Sequence, residues 1–109
     1  MDKLKELLKT IRDFSQKRNW INYHNGKDMA LSIVLEASEL LENFQWLSNE
    51  EAYKKNMQNI KDELADILIY CFRFADEHNF DIEEIIKEKL KKNALKYPVP
   101  EIKKGCIKF

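Results

Sequence analysis

A chain of 109 residues is expected to form one domain with a single modest core. Apolar residues make up 44% and charged residues 35%, with only two Gly and two Pro, a composition that excludes a disordered chain and favours an all-helical build. Nineteen basic and nineteen acidic residues cancel, which argues against a nucleic-acid polymer as partner, since phosphate-backbone binding needs a basic excess.

Cys71 and Cys106 show neither CxxC nor zinc spacing. Cys71 reads as a small buried hydrophobe and Cys106 lies in the tail, so a reduced, cytoplasmic setting is expected. No apolar run approaches bilayer-spanning length, and Met1-Asp-Lys-Leu-Lys lacks a signal-peptide core. No membrane is expected as a partner.

In chain order, residues 2–17 carry Leu4, Leu7, Leu8, Ile11 and Phe14 at helical spacing. A link follows from Arg18 to Lys27, broken by Asn residues and Gly26 and unusually aromatic. Its Trp20, Tyr23 and His24 either pack back on the core or wall a pocket for a flat ligand. Asp28 is placed to cap a second helix running to about Trp46. Ser48-Asn-Glu-Glu51 forms a capping box for a third helix that reaches about Glu77, with a kink or break expected near 56–59. Asp81-Ile-Glu-Glu84 is a second box. It opens a fourth helix with Ile82, Ile85, Ile86 and Leu90 inward, ending before Tyr97-Pro98. Residues 1–98 thus form the domain, and 99–109 an extended tail.

One pattern occurs twice. Glu36-Ala37-Ser38-Glu39 and Glu63-Leu64-Ala65-Asp66 hold equivalent places in two helices, each at the edge of an apolar arc. The arcs comprise residues 33, 37, 40, 41 and 44 and residues 60, 64, 67, 68, 71 and 75, at about 100° per residue. An i, i+3 pair projects both carboxylates from one face. Two such helices packed through their arcs bring four carboxylates together, and these oxygens suit a hard divalent cation. Taken singly, either pair reads equally well as solvated acids on an amphipathic helix.

Lys89, Asn93 and Lys96 recur at i, i+4, i+7 in the fourth helix. They serve either as lysines complementing a helix C-terminus or as a phosphate-holding face. Leu35, Trp46, Ile69 and Phe72 exceed what one small four-helix bundle covers. A homo-oligomer accounts for them.

Taken together, Trp20…Tyr23-His24, Glu36-x-x-Glu39, Phe44-Gln45-Trp46, Glu63-x-x-Asp66 with Ile69-Tyr70, and Lys89-x-x-x-Asn93-x-x-Lys96-Tyr97-Pro98 resemble the all-α nucleoside triphosphate pyrophosphohydrolases. The likeness is to the short MazG-like branch that includes the dCTP pyrophosphatases, and it spans roughly residues 8–98. It implies Mg²⁺-dependent hydrolysis of a (deoxy)nucleoside triphosphate to monophosphate and pyrophosphate, with Mn²⁺ as a substitute metal and dCTP or a modified dNTP among the substrates. By that resemblance Glu36, Glu39, Glu63 and Asp66 bind metal, and Glu39 or Glu63 also acts as general base. Lys89, Asn93, Lys96 and Tyr97 hold the triphosphate, and Trp20, His24, Trp46 and Tyr70 form the base and sugar pocket. Lys27 joins the substrate-binding set, although Lys27-Asp28 stands where dCTP-type members often carry Arg-Asn. The resemblance also implies a tetramer built as a dimer of dimers, or a dimer.

The competing reading is a non-catalytic helical oligomer that binds nucleotide or a partner protein. A carboxylate-bridged di-iron bundle is disfavoured, because neither His24 nor His78 follows one of these acids by three residues.

Overall fold

The computed structural model describes residues 2–18 and 25–99, and every regular element among them is helical. The helices are α1 (Lys3–Lys17), α2 (Gly26–Glu42), α3 (Asn49–Glu77) and α4 (Ile82–Lys96). The all-α expectation holds. Trp20, Tyr23, His24, Cys106 and the tail from residue 100 lie outside the described residues.

The chain divides into two compact units, Met1–Asn79 with α1 to α3 and Phe80–Phe109 with α4. In the first unit, α3 is the spine on which both α2 and α1 pack. Its 29 residues start at a full capping box: Ser48 Oγ accepts from Glu51 N, and the Glu51 carboxylate accepts from Ser48 N. The expected kink falls at Asn56, whose φ of −119° and ψ of 15° leave the helical region.

The second helix is shorter than its periodicity suggests. Asn25, not Asp28, is the N-cap, its side chain accepting from Asp28 N at 2.9 Å. Asp28 sits instead in the first turn, where its charge complements the helix dipole. The helix stops at Glu42, short of Trp46, in a series of turn hydrogen bonds from Phe44, Gln45 and Leu47. Trp46 takes a left-handed φ of 64°, which reverses the chain and leaves its ring in solvent. Phe44 packs edge-on against Tyr53 across the turn, with centroids 5.7 Å apart.

A side chain placed on Gly26 would meet the His78 ring 3.5 Å away, so the start of α2 lies beside the end of α3. The two helices are an antiparallel hairpin. His78 caps α3, its Nδ1 2.8 Å from the Phe74 carbonyl oxygen and its ring stacked on Phe74. On the other side, Arg12 of α1 clamps Asp76 of α3, with Nε 2.9 and 3.1 Å from the two carboxylate oxygens. Such a partly exposed pair contributes at most about 1 kcal/mol, so its role is to fix the position of α1.

The buried set is small. Met29 and Ala52 are fully enclosed, and Ala75 and Ile82 nearly so. Full burial of a side chain such as Met29 stabilises by about 1.5–3 kcal/mol. Much of the expected apolar arcs stays open in the single chain, with Leu41, Leu64 and Leu68 about half exposed or more. Leu31, Val34 and Leu35 are open as well. Cys71 is only half-buried, although that burial still pushes its thiol pKa up.

In α4, Asp81 caps the helix by accepting from Glu84 N at 3.0 Å. Only Ile82 of its expected inward residues is buried. Ile85, Ile86 and Leu90 are exposed, so the apolar stripe that the periodicity marks is not covered within the single chain.

Candidate metal centre

The site grows out of an amide cluster at the closed end of the α2–α3 hairpin. Asn43, almost wholly buried, donates through Nδ2 to the carbonyls of Glu39 and Leu40 at 3.2 and 3.3 Å. Its own carbonyl accepts from Asn56 Nδ2 at 2.8 Å, and its Oδ1 accepts from Asn59 Nδ2 at 2.7 Å. The kink at Asn56 opens the α3 backbone where its side chain must reach across to α2. One turn before Asn43 stands Glu39, and one turn after Asn59 stands Glu63. Antiparallel packing in this register sets the two acid pairs against each other.

Glu36, Glu39 and Glu63 each offer an oxygen within 4.8 Å of the others. Asp66 does not join that trio, but its charge acts on both Glu36 and Glu63. Three of the four expected acids therefore converge, and the fourth flanks them. Oε2 of Glu36 and Oε2 of Glu63 are buried without a hydrogen-bond partner. Buried carboxylate oxygens left this way are costly. The Glu36 carboxyl is pushed up to about 7, first by burial, then by Glu39, and further by Glu63 and Asp66. Burial and Glu39 also raise Glu63, partly offset by a hydrogen bond from Glu36. Protonation of Glu36 would relieve part of the repulsion within the metal-free cluster. An all-oxygen set with orphaned acceptors fits a hard divalent cation, whose charge would replace that proton.

Beside the acids runs a groove of about 430 Å³ between α1, α2 and α3. Ile11, Phe14, Ile69 and Tyr70 give it an apolar wall, and Glu36 and Asp66 line it as well. Arg73, almost wholly buried, completes the lining with its guanidinium 5.5 Å from the Tyr70 ring centre. Such a mixture of aromatic wall, acids and one cation is typical of small-molecule sites.

Among the other expected site residues, Tyr70 lines this groove. Lys27 and Trp46 are exposed, the indole almost completely. Within α4, Lys89 and Lys96 are exposed and Asn93 is half-buried. Tyr97 closes that helix, its N–H donating to Asn93 O at 2.7 Å and its ring 5.4 Å from Lys96 Nζ. Sequence reasoning missed Phe14, Arg73 and the three asparagines. The spacing Asp66, Tyr70, Arg73 continues the acid face at i+4 and i+7, and that signal was there to be found.

The profile of the MazG-like family matches residues 31–106. The chain belongs to the MazG-like family. Its curated relatives include dCTP pyrophosphatase 1 of Rattus norvegicus, 30% identical over 97% of this chain and 65% of that protein. The Homo sapiens protein of the same name is 27% identical over the same shares. This MazG-like chain thus spans about two-thirds of their length, at 65%. Among solved structures, a pyrophosphatase from Archaeoglobus fulgidus superposes with a TM-score of 0.83 at 37% identity, covering 90% of this chain and 94% of that one. The all-α arrangement is therefore that of a known pyrophosphatase fold.

Proposed function

We propose that this chain is a Mg²⁺-dependent nucleoside triphosphate pyrophosphohydrolase, releasing a nucleoside monophosphate and pyrophosphate. The observation that carries the reading is the convergence of Glu36, Glu39 and Glu63, with two orphaned buried oxygens, beside an aromatic-walled groove. The names of the mammalian and archaeal relatives support the same chemistry.

In this reading Glu36, Glu39 and Glu63, flanked by Asp66, hold Mg²⁺, with Mn²⁺ able to replace it. A divalent ion held by these acids would supply positive charge against the triphosphate and Lewis acidity for the attack of water. Glu39 or Glu63 accepts the proton of the attacking water as its oxygen bonds to phosphorus and the α–β phosphoanhydride bond breaks. Tyr70 and Phe14 offer faces to a base or sugar at the groove. Lys89, Asn93, Lys96 and Tyr97 are assigned to the triphosphate, and Trp20, His24, Lys27 and Trp46 to the nucleoside, from the motif they share with the family.

The substrate is a (deoxy)nucleoside triphosphate, with dCTP and modified dNTPs first in line, and the working form is a homotetramer or dimer. The open faces of Leu35, Leu41, Leu64 and Leu68 support the oligomer. A pyrophosphate-release screen across canonical and modified dNTPs and NTPs tests the reading, run with Mg²⁺, with EDTA and with Glu63→Ala. Turnover that needs metal and vanishes in a folded Glu63→Ala chain is the expected result. No turnover on any nucleotide would return the chain to a helical binding oligomer.

A further inference from the structure

The carboxylates face one another because α2 and α3 are held in one register, and the amide cluster beside them ties the two helices through neutral hydrogen bonds. Apolar contacts alone specify this poorly, since the facing leucines are half open and a packed leucine tolerates sliding better than a hydrogen bond does. Asn43 is different. One side chain bonds the carbonyl of Glu39 on its own helix and, through Oδ1, the amide of Asn59 on the other. Asn59 lies one helical turn from Glu63. The link therefore runs from the backbone of one acid, through two amides, to the turn that carries the facing acid.

We propose that Asn43 and Asn59 are positioning residues, an amide clasp that sets the Glu36–Glu39 pair against Glu63 at the spacing a divalent ion requires. The inference rests on the metal-binding reading of those acids. Supporting groups behind a metal site typically change metal affinity 10- to 100-fold when removed. The clasp would act at that level, through geometry and not through contact with ion or nucleotide. Asn56 assists by holding the Asn43 carbonyl at the kink.

The test is Mn²⁺ affinity, read from the electron paramagnetic resonance signal of free Mn²⁺, beside kcat, KM and thermal unfolding. Asn59→Ala should weaken Mn²⁺ binding about tenfold. It empties no core space, because the Asn59 residue is exposed. Asn59→Gln, which keeps an amide on a longer arm, should recover affinity to within about threefold of the parent chain. Asn43→Leu, an apolar replacement of similar size that keeps the hairpin packed, should repeat the loss. Ser48→Ala weakens α3 at its cap, away from the acids, and should lower the unfolding temperature while leaving Mn²⁺ affinity within about twofold. A purely structural role for the asparagines predicts instead that affinity follows stability in all four variants.

Folded Asn59→Ala and Asn43→Leu chains that bind Mn²⁺ like the parent would overturn the clasp alone. A parent chain that binds no Mn²⁺ would overturn the metal reading of the acids, and the clasp with it.

Discussion

Two polar clusters sit one helical turn apart on the same hairpin, and they are opposites. At Asn43 the side-chain donor and acceptor and the backbone carbonyl all have partners, supplied by Glu39, Leu40, Asn56 and Asn59. At Glu36, Glu39 and Glu63 three acceptors face one another, and two buried oxygens have no partner. Neutral amides supply donor and acceptor together, so they satisfy one another inside the protein. Ionised carboxylates only accept, so a cluster of them needs a proton or a cation from outside. A region that stabilises the fold thus adjoins one that strains it, and the strained one is where a ligand belongs.

The strongest way to break this contrast is to neutralise an acid. Glu36→Gln should reduce turnover by about 10³-fold, since ion-mediated charge stabilisation contributes several kcal/mol to a transition state. The same change should raise the unfolding temperature of the metal-free chain at pH 8, because it removes a charge the fold tolerates badly. Steady-state kinetics and calorimetry on one preparation check both. A stabilised, inactive variant is the signature of a site, whereas a destabilised one would mark the acids as structural.

Breaking the clasp should act the other way. Asn43→Ala removes the acceptor of the Asn59 amide and the side-chain donor to the Glu39 carbonyl in a partly buried region, while the Leu40 carbonyl keeps the backbone N–H of residue 43. That should destabilise by about 2–4 kcal/mol, measured by urea unfolding. Where Glu36→Gln gains stability, Asn43→Ala loses it, about two turns away.

The fold was largely legible because helix propensity, capping boxes and amphipathic spacing all act within a few residues. Ser48-x-x-Glu51 and the kink near Asn56 were read from local chemistry alone. The acid echo was legible for a similar reason, since both pairs obey one helical period. What escaped depends on contacts between elements. Asn43 and Asn59 look like ordinary helix-surface amides until the antiparallel register joins them, sixteen residues apart. Asp28 outranked Asn25 as a cap because Gly26 read as part of the loop and not as the first helical residue. The inward face expected of α4 and the full burial of Cys71 also depend on contacts beyond one helix, and Ile85, Ile86 and Leu90 are exposed while Cys71 is half-buried.

A smaller effect comes from pH. The folded-state pKa of Glu36, about 7, lies above its ordinary value of 4.5. A group raised in this way binds its proton more tightly in the folded state. Its stability contribution is therefore complete below pH 4.5 and is lost as pH climbs through 7. The metal-free chain should lose about 5 °C in unfolding temperature between pH 5 and pH 8 relative to Glu36→Gln. Saturating Mg²⁺ should remove the difference, since a cation takes over the proton's role.

The smallest effect lies at the turn end of the hairpin and has the opposite pH sign. Ser48→Ala removes the bond from Glu51 N to Ser48 Oγ, and loss of such a cap costs about 1 kcal/mol. In the parent chain the Ser48 backbone N–H, and then its hydroxyl, hold the Glu51 carboxyl below its ordinary value of 4.5. A depressed carboxyl contributes stability above that value and loses it as pH falls through the folded pKa. The difference in unfolding temperature between parent and Ser48→Ala should therefore be constant from pH 5 to pH 8 and shrink in acid, with Mg²⁺ making no difference. If the capping box and the acid cluster gave the same pH profile, the two ends of the hairpin would be coupled, and the contrast between satisfied and unsatisfied polar groups would fail as an account of this fold.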